Sequence, residues 1–276
     1  DLSADPNKVF SKNEGYKGSG NPVFIVAGLN SEGGPDPKKD QHPADIDYKK
    51  LGYNDNDTQY FSYAGSNEKY SGTDTYQDVN ISVERMDKQM KEFAKKHPGE
   101  KIDILAHSLG GSVSALWLAN YYDPKDKSYP ELGKIIMYAP ALKGTQLADI
   151  AKEFDSSALG TGIHKGLTYI PMVKDLVPPP GSPVLKQLEE NGEISQTLED
   201  SGVGKKYEIY ALRLGDDLIV TPGTGTLDGV HEVVLEDSNN LGGTVKNPFT
   251  AHSNIVDSAN AMSQSQRILS GKKIAC

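Results

Sequence analysis

The sequence predicts an α/β fold. The expected architecture is one mostly parallel, doubly wound sheet in a single domain over residues 1–276, with a helical and loop cap insertion at about 150–204. Three observations lead there. Apolar strand candidates alternate with helix candidates, the pattern of β-α-β units. The run Pro22-Val-Phe-Ile-Val-Ala-Gly-Leu29 is continuously apolar, as a strand buried on both faces of a parallel sheet must be. The run Ile102-Asp-Ile-Leu-Ala-His-Ser-Leu-Gly-Gly111 carries a short strand through a serine and two glycines into a helix. In open parallel sheets ligands bind beyond the carboxyl ends of the strands, where that serine falls.

The elements follow in order. Residues 1–20 are polar and glycine-bearing and read as a tail or surface lead-in. Pro22–Leu29 is the first core strand. Residues 30–58 are rich in Gly, Pro, Asp, Asn and Lys and form a long loop, and Gln59–Tyr63 is a short strand. Val79, Val83, Met86, Met90 and Phe93 recur at helical spacing and share one face. Asp74 is the expected cap of that helix, and His97-Pro98-Gly99 stops it. The strand at 102–105 and the helix after Ser108 come next, then a strand at 134–138. Residues 145–204 contain apolar clusters broken by Pro178-Pro-Pro-Gly181 and show no strand, so short helices and loops are expected as a cap. Strands at 207–212 and 232–235 and a final helix bearing Ile255, Ala259, Met262, Ile268 and Leu269 complete the chain.

Composition narrows the function. At 276 residues one large core can form. The net charge of −9 argues against a nucleic-acid partner, and mildly against constitutive adhesion to anionic membranes, leaving at most transient contact with a lipid interface. No apolar run is long enough to cross a bilayer. The chain begins at Asp1 without Met, as a mature form would, and its abundant Tyr, Asn, Ser, Gly and Lys lean towards a secreted or cell-surface bacterial protein, with the cytoplasm left open. Its single cysteine, Cys276, allows no intramolecular disulfide and no cysteine-based metal site, and reads as a terminal thiol.

The chemistry centres on Ser108. A serine between strand and helix, with small residues two positions either side (Ala106 and Gly110), has the layout of a nucleophile elbow. A serine hydroxyl needs a histidine base, and the base needs a carboxylate. In elbow enzymes these follow in the order Ser, acid, His. Leu214-Gly-Asp-Asp-Leu-Ile-Val220 supplies the acid turn: Asp217 precedes the apolar run and is preferred to Asp216, which reads as solvent-facing. Of the later histidines, His231 begins a strand and so lies at its wrong end, whereas His252 lies in the loop before the last helix, where a base belongs. His107 flanks the serine and reads as structural; His42, His97 and His164 precede the acid. An acyl-transfer oxyanion needs two preorganised donors. Leu109 N–H at the helix start is one candidate, and Leu29 N–H, in the loop after the first core strand, is the other. Asp45, Asp47, Asp55 and Asp57 crowd one loop without EF-hand spacing; a solvated acidic loop is preferred to a structural calcium site, and no other cofactor is expected.

Together these residues resemble the bacterial serine lipases and esterases of the α/β-hydrolase fold. Ala106-His-Ser-Leu-Gly110 is similar to the Ala-x-Ser-x-Gly elbow of Bacillus-type lipases. Val26-Ala-Gly-Leu29 resembles that family's oxyanion loop, with Ala27 in place of its histidine. Ala139–Asp149 resembles its Pro-His-x-Gly-Thr-x-x-Ala-Asp segment, with Ala141 in place of histidine. Asp217-Leu-Ile-Val220 is similar to its acid turn, and Gly181–Leu188 to one of its cap helices. The similarity covers most of 22–269. It implies hydrolysis of a carboxylic ester, a lipid ester among the candidates, through an acyl-enzyme and without a cofactor. Two alternatives stay open: a thioesterase, acyltransferase or peptidase on the same triad, or a non-catalytic binding protein on a hydrolase scaffold.

Overall fold

The computed structural model describes residues 4–40, 42, 46–145, 178–179, 181–215, 226–235 and 255–272. Its centre is a six-stranded sheet of β1 (Val23–Val26), β2 (Thr58–Tyr60), β3 (Ile102–His107), β4 (Leu132–Tyr138), β5 (Ile209–Leu214) and β6 (His231–Leu235). The strand order is β2-β1-β3-β4-β5-β6 and every pairing is parallel. The order turns back at β1, with β2 on one side of it and β3 on the other. The carboxyl ends of β1 and β3 therefore flank a crevice of the kind in which open parallel sheets bind ligands.

Alternation along the strands divides the core into two faces. Phe24, Val26, Ile104, Ala106, Met137 and Ile209 meet the helices α1 (Val79–Lys96) and α2 (Leu109–Asn120). Val23, Ile25, Leu105, Ile136, Leu212 and Leu214 meet α6 (Ala259–Leu269) and the loop residues Ile46, Leu51 and Tyr53. All four residues of β1 are buried, as its unbroken apolar run requires. It ends at Val26, so Ala27-Gly28-Leu29 leaves the sheet as a loop. The second strand comes slightly early: Thr58–Tyr60 pairs with β1, and Phe61–Tyr63 continues as buried coil.

The helix on the Val79–Phe93 face forms as its spacing predicts, but Asp78 caps it, with its carboxylate accepting from Asn80 N–H at 2.8 Å. Asp74 caps something else. It accepts from Ser71 N–H at 2.8 Å and closes a separate 3-10 turn, Gly72–Tyr76. A Ser-x-x-Asp box and a lone Asp both read as helix starts, and only the path of the chain assigns each to its turn.

The second half of the region read as a cap is built into the sheet's helical layer. Helices α3 (Pro183–Gln187), α4 (Glu193–Ser201) and α5 (Val203–Lys206), with Leu188 as the C-cap of α3, put Val184, Leu188, Ile194, Leu198 and Val203 into the core shared with α1 and α2. Residues 146–177 lie outside the described residues. The segments on either side of them meet: Thr145 N–H donates to Leu188 O at 2.8 Å, and Asn191 N–H to Lys143 O at 3.1 Å. Residues 4–20 form a lead-in pinned to the body rather than a free tail. Phe10 exchanges two 2.8 Å hydrogen bonds with the Gln266 side chain, Arg267 donates to Asp5 O at 3.0 Å, and buried Tyr16 donates to Leu51 O at 2.7 Å. Among the described residues no helix is long and apolar enough to cross a membrane.

Candidate active site

Register builds the site. Val26 pairs with Ala106, and Ala106 with Met137, so the loop after β1 and the turn after β3 leave the sheet side by side. At that turn Ser108 adopts φ 53°, ψ −121° and serves as the N-cap of α2. Few side chains tolerate this backbone, and it persists only where neighbours over-determine it. They do so here. Ser108 N–H donates to Tyr138 O at 3.0 Å, Ser108 O accepts from Gly111 N–H at 3.0 Å, and its side chain is nearly buried. A β-carbon on Gly28 would stand 2.9 Å from Ser108 Cβ, and one on Gly111 would stand 2.5 Å from Pro140 Cβ. Ala106 is fully buried and joins the α1–α2 side of the core, which accommodates its methyl group.

The Leu109 amide follows Ser108 in the chain, and the Leu29 amide follows Gly28, where a β-carbon would stand 2.9 Å from Ser108 Cβ. Among the described residues, neither amide has an acceptor. Leu109 opens α2, where orphan amides and the helix dipole favour an anion. Leu29 sits in a tight turn closed by Ser31 N–H to Gly28 O at 3.2 Å, with Asn30 at φ 63°.

Hydroxyl groups from distant segments hold this turn. Tyr63 donates to Ala27 O at 2.6 Å. Burial pushes the Tyr63 hydroxyl well above its usual range, so it remains a donor throughout ordinary pH. Thr75 Oγ1 accepts from Asn30 N–H at 2.9 Å, Tyr76 donates to Asn30 Oδ1, and Ser31 Oγ meets Tyr70 OH at 2.9 Å. These contacts stand where the resemblance left the loop without its histidine. No pattern in the sequence marks these partners; the nearest signal is the Ser71–Asp74 box that shapes the turn carrying Thr75 and Tyr76.

The other candidates fall as follows. Asp216, Asp217 and His252 lie outside the described residues, as do His164 and Cys276. Leu214-Gly215, the last described residues before Asp217, leave β5 at the same sheet edge as Ser108. His231 is at the amino end of β6, stacked on Tyr210 with ring centroids 4.9 Å apart, on the opposite edge. His107 is half-buried at the end of β3. His42 stacks on Tyr60 at 3.8 Å, and burial lowers its pKa. His97 meets Glu100 at 3.0 Å. In the acidic loop, Asp45 lies outside the described residues. Asp47 accepts from Lys50 N–H at 3.2 Å, Asp55 from Tyr48 OH at 2.6 Å, and Asp57 from Asn54 at 2.8 Å.

Residues 23–139, which span β1 to the end of β4 and include the elbow, match the family described as "Putative serine esterase (DUF676)". No curated protein matches the chain by sequence. Among solved structures, phospholipase PlaB from Legionella pneumophila is similar over 90% of this chain and 59% of its own, at 16% identity and a TM-score of 0.59. The chain thus spans about three fifths of that relative's length. Bacillus licheniformis lipase BlEst2 is similar over 86% of this chain and 87% of its own, at 15% identity and a TM-score of 0.54. The chain has the α/β-hydrolase fold.

Proposed function

We propose that this chain, an α/β-hydrolase-fold protein whose residues 23–139 match a serine esterase family, hydrolyses carboxylic esters through an acyl-enzyme on Ser108. One observation carries the reading. Ser108 holds the strained elbow backbone at the sheet's switch point, with the Leu109 amide next in the chain, the Leu29 amide in the adjoining loop, and neither bonded to an acceptor among the described residues. In the proposed reaction Ser108 Oγ attacks the ester carbonyl while His252 takes its proton. Asp217 holds the imidazole tautomer and stabilises the cation. The oxyanion is received by Leu29 N–H and Leu109 N–H. His252 then protonates the departing alkoxide, the C–O bond breaks, and Ser108 carries the acyl group. Water, deprotonated by His252, attacks the acyl carbonyl and releases the acid, and the proton returns to Ser108.

The parallel topology supports Asp217 and His252, since their segments follow β5 and β6, whose carboxyl ends share the edge of Ser108. A lipid ester, acylglycerol or phospholipid is the substrate class we favour, because a phospholipase and a lipase are among the similar solved structures. We also propose that the protein acts outside the cell or at its surface, with only transient contact with the lipid interface.

The test is turnover of p-nitrophenyl esters of increasing acyl length, alongside thioesters and amides, with labelling by a fluorophosphonate. Ester turnover abolished in Ser108→Ala, with labelling confined to Ser108, is the expected result. Preference for thioesters or amides would reassign the reaction, and an unlabelled Ser108 with no turnover of any kind would leave a binding protein on this scaffold.

A further inference from the structure

We propose that Thr75 and Tyr76 are positioning residues for the oxyanion hole, gripping Asn30 at two points so that the preceding amide, Leu29 N–H, stays aimed at the carbonyl attacked by Ser108. The inference rests on the hydrolase reading above and adds the group that makes one of its donors rigid.

The geometry is specific. Thr75 is completely buried, and its hydroxyl is fixed at both ends: it donates to Gly72 O at 2.6 Å and accepts from Asn30 N–H at 2.9 Å. That bond consumes the amide next to Leu29 and leaves the Leu29 amide as the one in this turn with no acceptor among the described residues. The neighbouring Tyr76 hydroxyl donates to Asn30 Oδ1, so backbone and side chain of one residue are held by consecutive residues of the 3-10 turn Gly72–Tyr76. Gly72 in the same turn lies against the Asn30 backbone; a β-carbon built on it would be 3.5 Å from Asn30 Cα and 3.5 Å from its carbonyl oxygen.

Asn30 needs such a grip. It sits at φ 63°, a region Asn tolerates better than most residues but does not prefer over the right-handed one. A peptide flip between Leu29 and Asn30 would relax that strain and disturb the turn that presents the Leu29 amide. An oxyanion donor is useful only if its position is preorganised, and a displacement of about 1 Å costs as much as hundredfold in rate. The turn in question belongs to neither β1 nor β3. It comes from the segment between β2 and α1, tens of residues along the chain, and is itself stiffened by the Ser71–Asp74 box.

The experiment compares Thr75→Val, Thr75→Ser and Tyr76→Phe with the wild-type chain. Rates are referred to active sites titrated to completion with a fluorophosphonate, and melting temperatures are recorded in parallel. Thr75→Val and Tyr76→Phe should each lower kcat for a p-nitrophenyl ester by about tenfold or more with little change in KM. Inhibition by an arylboronic acid, whose tetrahedral adduct on serine draws on the same donors, should weaken by a similar factor. Thr75→Ser, which keeps the hydroxyl, should restore both. A merely structural role would lower the melting temperature and the titratable fraction while leaving kcat per titrated site and boronate affinity at wild-type values, and that result overturns the proposal. If Thr75→Val does not fold, Tyr76→Phe at its half-buried site decides the question by the same two readouts. If the wild-type chain shows no Ser108-dependent turnover, the hydrolase reading falls and this one with it; if turnover depends on Ser108 and the variants match wild type, only the positioning role falls.

Discussion

Gly110 in the first turn of α2 lies against the backbone of Val26 in β1: a β-carbon built on Gly110 would stand 2.1 Å from the Val26 carbonyl oxygen. The next carbonyl, that of Ala27, would be 2.7 Å away. Both obstructing atoms are backbone carbonyls, one at the end of β1 and one in the first residue of the loop after it, so neither can swing aside as a side chain would. This contact brings α2 down onto β1 and places the Leu109 amide beside the loop that carries Leu29.

Gly110→Ala should therefore cost far more than one methyl group ordinarily does. Overpacking of a rigid site costs about 1–3 kcal/mol, and here we expect at least about 3 kcal/mol. The check is the urea midpoint of the variant, together with its rate of fluorophosphonate labelling. A midpoint within error of wild type would contradict the contact.

Ser108→Gly should uncouple stability from activity. Serine at φ 53°, ψ −121° is strained, whereas glycine reaches that region without steric cost. The variant should lose ester turnover and gain about 1 kcal/mol of stability, the net of relieved strain and the larger backbone entropy of glycine. Thermal unfolding of Ser108→Gly against Ser108→Ala measures this, since both lack the hydroxyl and only one keeps the β-carbon.

Asp103→Ala should act in the opposite sense. At the amino-terminal edge of the sheet its fully buried carboxylate accepts from Tyr53 OH at 2.7 Å, Lys134 N–H at 2.7 Å, Asn21 Nδ2 at 3.1 Å and the Ser19 hydroxyl. Removing the shared acceptor strands these donors, at a cost of about 3 kcal/mol. Because the carboxylate lies at the edge opposite Ser108, kcat at moderate temperature should be unchanged while the urea midpoint falls. A variant that loses turnover at full stability would contradict this separation.

The chain should unfold in alkali in step with tyrosine ionisation. Burial raises the hydroxyls of Tyr16, Tyr53, Tyr63 and Tyr138 above their usual range. The folded state keeps these protons where the unfolded state releases them, so their stabilising contribution is full below the unfolded value of about 10 and declines as pH rises above it. Tyrosinate absorbance and near-ultraviolet circular dichroism recorded through the same titration should show the buried tyrosines ionising only as tertiary structure is lost. Their titration within a protein that keeps its tertiary signal would contradict the raised values.

Much of this protein was determined by local sequence. The continuous apolarity of Val23–Val26, the 3.6-residue spacing from Val79 to Phe93 and the alternation of strands with helices are short-range signals of burial, and they are enough for a parallel α/β sheet. The Ser108 elbow was legible for the same reason, since its strain, its small neighbours and its helix start lie within a few residues. Leu29 and Leu109, the amides proposed as oxyanion donors, could be named from the sequence because each is close to a legible strand end.

Tertiary structure alone decided what holds those amides and what the ambiguous polar residues do. Thr75, Tyr76 and Tyr63 reach the loop after β1 across separations of 45, 46 and 36 residues, and a hydroxyl carries no periodicity that reveals its partner. Asp74 and Asp78 are both competent caps, and the path of the chain assigned one to the 3-10 turn and the other to α1. Arg213 interrupts the apolar run of β5 yet is fully buried, with Glu232 of β6 at 3.2 Å, because the partner that makes its burial tolerable lies on the adjacent strand. Hydrophobic pattern is written residue by residue, whereas polar partnership depends on which segments the packed sheet brings together.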